Sequence, residues 1–356
     1  MRGKRATISD VANHAGVSKA TVSAVINASG PVRGATRDRV LAAVELLDYR
    51  PGTTSTRGAT TGRRLRSLGL LIKEADNPYY AAIVAGVREA ADARGYTLLV
   101  ASSEGGYDAE RRAVELLHAH EVDGLMVTPV LDEHADLSHL FELKRRQYPF
   151  VLLEDVRGVP ASLVDVDNVQ AASAAAEHLI ALGHTRLVHF AGPAYSSHTL
   201  ERVNGVRRAC SASRLIFTDA DVVAAGAHLD DGYRAALAYF AGRAPDDCPT
   251  GITCYNDLVA IGVCRALVEI GLAVPGDVSV VGFDDLALLE YLPVPLTSMH
   301  VPKVEMGRLA AELLIAQIEG AAPVPPRRHF LHAELVVRAS TRAPSAARQR
   351  ASVEAS

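Results

Sequence analysis

The chain is poor in the residues that make cross-links, metal clusters and membrane spans. Its 356 residues include four Cys, at positions 210, 248, 254 and 264, and no pair has CxxC spacing. That excludes a disulfide scaffold or zinc ribbon and fits a reducing compartment, so a cytoplasmic protein is expected. No run of about 18 apolar residues occurs, so no membrane span is expected. The opening MRGKRAT is basic but leads into no apolar stretch, which argues against a secretory signal. Lys is scarce, 5 against 32 Arg, which reads as a composition bias. Enzyme signatures are missing too. No GxGxxG opens a helix after a first strand, and neither GxxxxGK[ST] nor GxSxG occurs. The 13 His make no recognisable metal set; His118 and His120, two apart, do not share a helix face. Neither catalysis nor a metal or other cofactor is expected.

What remains is globular: 49% apolar and 22% charged residues, in a chain long enough for two or three domains. The net charge of −4 hides a split. Residues 1–66 carry 12 Lys and Arg against 4 Asp and Glu, a balance of +8, and the rest carries −12. A basic head on an acidic body suggests a head that meets a polyanion.

The head has a readable pattern. Thr7 and Asp10 make a capping-box-like start, and Ile8, Val11, Ala12 and Ala15 follow at helical spacing. Gly16 breaks that helix and Ser18 can cap the next. There Val22, Val25 and Ile26 point inward, while Lys19, Ala20, Ser23 and Ala24 form the other face. A third helix is predicted from Thr36 to Tyr49, with Val40, Leu41, Val44 and Leu47 apolar. Two short helices around an Ala-Gly-Val turn, plus a third, make a helix-turn-helix. Ser18, Thr21 and Ser23 can donate to phosphates, and the start of the second helix can enter a major groove.

Residues 51–66, PGTTSTRGATTGRRLR, carry no apolar stripe and read as a linker. From Ser67 short apolar runs alternate with amphipathic helices, beginning with SLGLLI at 67–72 and ending with VSVVG at 278–282. Repeated βα units mean parallel sheets, and about ten strands exceed one compact sheet, so two Rossmann-like lobes are expected. Ligands of such sheets bind beyond the strand carboxyl ends. Asn77, Tyr79 and Tyr80 follow the first strand, and Ser103 follows the second. Ser196, His198 and His228 fall on loops facing the same way, Asn168 can cap a helix, and His184 can end one.

The segment TISDVANHAGVSKATVSAVIN, followed by GPVRGATRDRVLAAVELLDYRP, closely resembles the DNA-binding head of the lactose/galactose repressor (LacI/GalR) family. NPYY at 77–80, VDG at 122–124, LGH at 182–184, YND at 255–257, VSVVGFDD at 278–285, LTSMHVPKVEMGRLAAELL at 296–314 and LVVRAST at 335–341 extend the resemblance to residues 6–342. It implies an all-α helix-turn-helix head (1–50), a hinge (51–66), and an α/β body (67–342) of two Rossmann-like lobes with periplasmic-binding-protein type I architecture. The chain would cross between lobes three times, with 291–320 returning to the first lobe and 328–340 completing the second. The tail 343–356 lacks a leucine heptad, so disorder is expected rather than a coiled coil.

The resemblance further implies a homodimer on double-stranded operator DNA, controlled by a sugar-like or nucleoside-like effector between the lobes, with helices 79–94 and 304–319 as dimer contacts. Thr7, Ser18, Lys19, Ala20, Thr21, Ser23, Ala24 and Asn27 would meet DNA. Arg202, in the family's R-x-x-G, and Asp257, in YND, would meet effector; GFDD looks structural in the family. In the hinge, family members order a short helix and wedge a Leu into the minor groove. This chain has Ala59 or Gly58 there, and neither can wedge. The hinge either orders through Arg57, Arg63, Arg64 and Arg66 on phosphates or stays a tether; Gly and Thr favour the tether. A member binding DNA without small-molecule control is one alternative. A periplasmic solute-binding protein is another, but it calls for a signal peptide and no helix-turn-helix.

Ala24 stands where the family usually has Arg, the commonest reader of guanine. Lys19 is then the main direct reader, and Ala20 or Ala24 can touch only a thymine methyl. Binding-site selection from random duplexes is expected to return an operator core unlike the family's usual one; recovery of that usual core at high affinity would overturn this reading.

Overall fold

A computed structural model describes residues 7–26, 29–30, 32–47, 66–119, 122–131, 136–244, 247–320 and 325–345. The chain divides into two compact units, Met1–Arg64 and Leu65–Ser356. Among the described residues no helix is long and apolar enough to cross a membrane.

The first unit packs α1 (Ile8–Ala15), α2 (Lys19–Ile26) and α3 (Gly34–Leu46) around Val11, Ala15, Val22, Val25, Val40 and Ala43. Thr7 caps α1 in a capping box with Asp10, and Gly16 ends it at φ 65°, a left-handed position that costs glycine little. Ser18 Oγ accepts from the Thr21 N–H at 3.1 Å, ahead of α2. One expectation needs correcting. Leu41 is 49% exposed and Ala43 is buried, because the helical period from Val40 carries the inward stripe to Ala43 and Val44. Asn27, Arg57, Arg63 and Arg64 lie outside the described residues, as do Ala59 and Tyr49.

The second unit holds two sheets. The first lobe is built from β1 (Ser67–Ile72), α4 (Pro78–Ala93), β2 (Thr97–Ser102), α5 (Tyr107–Ala119), β3 (Gly124–Val127), α6 (Ser138–Arg145), β4 (Phe150–Leu152) and β5 (Ser162–Val166). The second is built from α7 (Asn168–Ala181), β6 (Leu187–Ala191), α8 (Ser197–Ala212), β7 (Val222–Ala224), α9 (Leu229–Phe240), β8 (Gly251–Cys254), α10 (Asp257–Glu269), β9 (Ser279–Asp284) and β10 (Thr297–His300). Next come α11 (Lys303–Glu319), β11 (Arg328–Leu331) and β12 (Glu334–Val336).

The sheet orders are β11-β5-β4-β3-β1-β2 and β12-β10-β9-β8-β6-β7. The first is parallel throughout, and β12 runs antiparallel to β10 in the second. Residues of β1, β3, β6 and β8 are buried without alternation, as expected of strands covered by helices on both faces. The chain crosses between lobes after β5, after β10 and after β11. The expected allotment therefore needs two corrections: β10 stays in the second sheet before α11 returns to the first lobe, and β11 joins the first sheet, leaving β12 alone to finish the second. Strand pairing decided this, and the short β11 and β12 carry little pattern of their own.

In the first lobe α4 and α11 cross backbone to backbone. A Cβ on Gly86 would lie 1.9 Å from the Val304 carbonyl oxygen, and one on Gly307 would lie 2.2 Å from that of Ile83. Neither helix can yield without leaving the buried stripe of Ile83, Val87, Met306 and Ala310. Gly86→Ala is expected to destabilise the body by about 1–3 kcal/mol through overpacking. Urea unfolding tests this; an unchanged midpoint would mean the crossing has slack.

Candidate functional site

On the first unit the exposed edge of α2 offers Ser18, Lys19 and Ala20, with Thr21, Ser23 and Ala24 half-buried beside them. Three hydroxyls of this unit are already engaged locally. Thr7 Oγ1 donates to Asp10 Oδ2 at 2.6 Å, and Ser18 Oγ lies 2.9 Å from Thr21 Oγ1. Lys19 and Ala20 stand at the exposed start of α2, with backbone N–H groups of the first turn beneath them.

In the second unit a cavity of about 330 Å³ lies between the carboxyl ends of the two sheets. Tyr79, Tyr80, Asn77 and Lys73 line it from the segment after β1; Glu154 does so after β4, Tyr255 and Asn256 after β8, and Asp284 at the end of β9. Ser196, His198 and Arg202 reach it from the start of α8, and His228 and Asp231 from the start of α9. Arg202 is buried, stacked 3.6 Å from the Phe283 ring centre and 4.8 Å from that of Tyr255. Its Nε donates to Asn168 Oδ1 at 2.9 Å and its Nη1 to the Tyr255 carbonyl. Tyr79 and Tyr80 meet edge to face at 5.3 Å.

Most charges in the cavity wall are paired. Lys73 Nζ donates to Glu154 Oε2, and Glu154 Oε1 accepts from Ser196 Oγ at 2.9 Å, from the other lobe. Burial opposes ionisation of Glu154, but Lys73, His198 and Ser196 outweigh it and hold the carboxyl at about 2. Burial likewise opposes the charge on Lys73, and Glu154 more than restores it. His198 Nε2 lies 2.9 Å from Asp165 Oδ2 across the lobes. Burial lowers that imidazole's pKa, yet Asp165 and Glu154 raise it above its ordinary value. Burial pushes Asp284 up to about 6 against the opposing pull of Arg202, Lys303 and His198. Its backbone sits at φ 110°, a strained position for a non-glycine residue. Lys303 Nζ clasps this turn through the Asp284 and Asp285 carbonyls.

Of the effector positions expected from sequence, the fold brings Asn77, Tyr79, Tyr80 and Arg202 to the cavity. It does not bring Ser103 or Asp257. Ser103 is buried, its hydroxyl 3.4 Å from the Ile72 carbonyl, because β2 ends against the β1 turn. Asp257 is fully buried behind the wall: Oδ1 accepts from Ser298 Oγ at 2.6 Å and Oδ2 from the Leu286 N–H at 2.8 Å. Its carboxylate braces the turn after β9. Asn168 is not the cap of α7; Asp167 is, accepting from the Gln170 N–H at 2.9 Å, which frees Asn168 to hold Arg202. Within GFDD the two carboxylates divide: Asp285 pairs with Arg338 and His300, and Asp284 faces the cavity. Lys73, Glu154 and Tyr255 were missed from the sequence. Each lies one or two residues past a strand's carboxyl end, the signal that could have found them.

Glu154→Gln is expected to cost on the order of 3 kcal/mol, because it leaves a buried ammonium without its partner. The depressed carboxyl contributes stability above its ordinary value of 4.5, and that contribution is lost as pH falls towards about 2. Chemical denaturation across this range should therefore show an acid-dependent loss that the variant lacks; identical profiles would remove the pair from the account.

Comparison with known proteins agrees with this geometry. Residues 7–52 match the model of bacterial regulatory proteins of the lacI family, and residues 176–341 match a periplasmic binding protein-like domain. An HTH-type transcriptional regulator, reg1 of Streptomyces lividans, is 35% identical over 342 residues, 94% of this chain and 96% of that protein. The transcriptional repressor PurR of Photobacterium profundum is 33% identical over 95% of this chain and 99% of its own length. Among solved structures, the transcriptional regulator CelR in complex with cellobiose superposes with a TM-score of 0.70 at 32% identity, over 94% of this chain and all of that one. The Lac repressor dimer bound to operator and an anti-inducer gives 0.70 at 27% identity, over 96% of this chain and all of that one. With a helix-turn-helix unit, a two-lobed binding-protein body and relatives matched along nearly their whole length, the chain belongs to the LacI family of bacterial transcriptional regulators.

Proposed function

We propose that the chain represses transcription as a cytoplasmic homodimer, and that a neutral, hydroxyl-rich ligand, sugar-like or nucleoside-like, sets its operator affinity from the cavity between the lobes. One observation carries the ligand class: most charged groups of the cavity wall are matched with partners of the protein itself, and the two that form no ion pair among the described residues, Arg202 and Asp284, are opposite in sign. Lys73 is satisfied by Glu154, His198 by Asp165, and Glu74 by His228. A ligand with a net charge would leave one of Arg202 and Asp284 unmatched or break one of these pairs; a polyol needs only to exchange hydrogen bonds. Tyr79 and Tyr255 supply rings for the apolar face of a sugar or base. The cellobiose bound by CelR, a relative of similar fold, supports the same class.

Arg202 is the residue assigned to orient the ligand, since Asn168, Phe283 and Tyr255 hold its guanidinium in place before anything binds. Asn77, Tyr79 and Tyr80 complete the first-lobe side. Ser103 and Asp257 act in this reading as supports of the wall. On the DNA side Lys19 reads a base edge, Ser18, Thr21 and Ser23 lie along phosphates with the hinge arginines Arg57 and Arg63, and Ala20 and Ala24 contribute shape. Thr7 contributes by capping α1. Ligand binding closes the lobes and changes the spacing of the two heads over a near-palindromic operator. No catalytic step belongs to this reading.

Calorimetry of the full chain against neutral mono- and disaccharides and nucleosides tests it. One class is expected to bind and to shift operator affinity by roughly 5- to 150-fold. Arg202→Ala should weaken that binding at least about tenfold while leaving operator affinity without ligand intact. Operator binding indifferent to every member of the panel would point instead to a regulator without small-molecule control.

A further inference from the structure

We propose that His228 is a protonation-dependent clasp that joins the two lobes across the rim of the cleft. The proposal rests on the cleft being the part of the body that closes on a ligand. It assigns His228 as a positioning residue: it acts by holding Glu74, and through Glu74 the first lobe, against the second.

The geometry is specific. His228 stands at the start of α9 in the second lobe, with half of its side chain exposed beside the cavity. Its Nε2 lies 2.8 Å from Glu74 Oε1, in the first lobe just after β1. Its Nδ1 lies 2.9 Å from Asp231 Oδ2, one turn on in its own helix. Ionised carboxylates only accept hydrogen bonds, and a neutral imidazole carries one N–H. Two such contacts from one ring therefore require the imidazolium.

Both carboxylates are held in place by other groups. Glu74 Oε2 accepts from Asn77 Nδ2 at 3.2 Å. Asp231 Oδ1 accepts from Arg234 Nη2 at 3.0 Å, and its Oδ2 also accepts the N–H groups of Ala227 at 3.3 Å and His228 at 3.2 Å. Neither carboxylate is free to swing away when the ring loses a proton. Loss of either proton sets a lone pair against a fixed carboxylate oxygen, and if the proton lost is the one on Nε2 the inter-lobe bond goes with it.

Glu74, Asp231 and, behind it, Arg234 are the charged groups gathered at this ring. Burial of the ring lowers its pKa, but its hydrogen bonds to Asp231 and Glu74 raise it more, leaving it above the ordinary 6.5. The clasp is thus complete below that ordinary value and is lost as pH rises through the raised one. Other polar contacts between the lobes, His198 with Asp165, Ser196 and Ser197 with Glu154, and Lys303 with the Asp284 and Asp285 carbonyls, are buried or part-buried. Among these contacts of the described residues His228 is the most open to bulk solvent. Because it is exposed, the effect should be modest, about 1.5- to fivefold in the ratio of closed to open lobes.

The test uses the full chain with neither ligand nor DNA. Carbon-13-labelled histidine and NMR titration of the unaltered protein should place His228 above 6.5, and Glu74→Gln should bring it down. Spin labels at Ala75→Cys and Asp230→Cys, in a Cys264→Ser background, should report an inter-lobe distance that lengthens or broadens between about pH 6 and pH 9. His228→Gln should abolish that dependence. Titration at or below 6.5, a distance that ignores pH, or a His228→Gln variant that follows the parent would each overturn the proposal. Should a labelled variant fail to fold by circular dichroism, the titration of the unaltered chain decides alone. Failure here leaves the ligand reading untouched, because that reading is tested by calorimetry.

Discussion

Charge buried between two parallel sheets must find a partner, and that constraint organises the body of this protein. The carboxyl ends of β1, β4, β5, β8 and β9 converge on one cleft, and the residues at or just past them include Lys73, Glu154, Asp165, Tyr255 and Asp284. A buried, unpaired charge in this set would cost several kcal/mol, and Asp284, which forms no ion pair among the described residues, is pushed towards its neutral form instead. Lys73 and Glu154 answer each other within one lobe; Asp165 and His198 answer each other across the two. The pairing leaves the cleft charged in detail but balanced in sum. A binding site of that kind favours ligands that trade hydroxyl for hydroxyl.

The rest of the body holds these groups in register. Three crossings of the chain make the two lobes halves of one unit, so a movement of either is felt at the same short segments after β5, β10 and β11. Within a lobe there is little give. The α4–α11 pair is in backbone contact at Gly86 and Gly307, and Asp257, fully buried, ties the turn after β9 to Ser298 of the next strand. Rigid lobes joined by thin crossings respond to a ligand by moving as bodies, and the polar contacts that span the cleft set the balance between open and closed.

The head shows the opposite economy. Its core is small, a few Val and Ala residues under three short helices, and capping by Thr7, Asp10 and Ser18 makes a large share of its definition. The excess of positive charge in residues 1–66 suits phosphate, which gives affinity without sequence preference. In the proposed reading few side chains are left to read bases, because Ala20 and Ala24 occupy the exposed and half-buried positions beside Lys19.

Much of this was legible in the chain. Hydrophobic periodicity located β1 to the residue, the third helix of the head to within three residues, and the helix-turn-helix by its Gly16 turn. Those are local signals: a helix needs only its own stripe and caps. The strand-end rule likewise pointed to Asn77, Tyr79 and Tyr80. What local pattern could not decide was partnership. Whether Asp257 faces ligand or Ser298, whether Asn168 caps a helix or steers Arg202, and which sheet receives β11 all depend on groups 30 to 165 residues away in the chain. The sequence by itself determined the elements, the charge split and the family. Only the tertiary structure decided which buried charges meet, because a carboxylate's role follows from the donor that reaches it, and that donor is supplied by another strand or the other lobe.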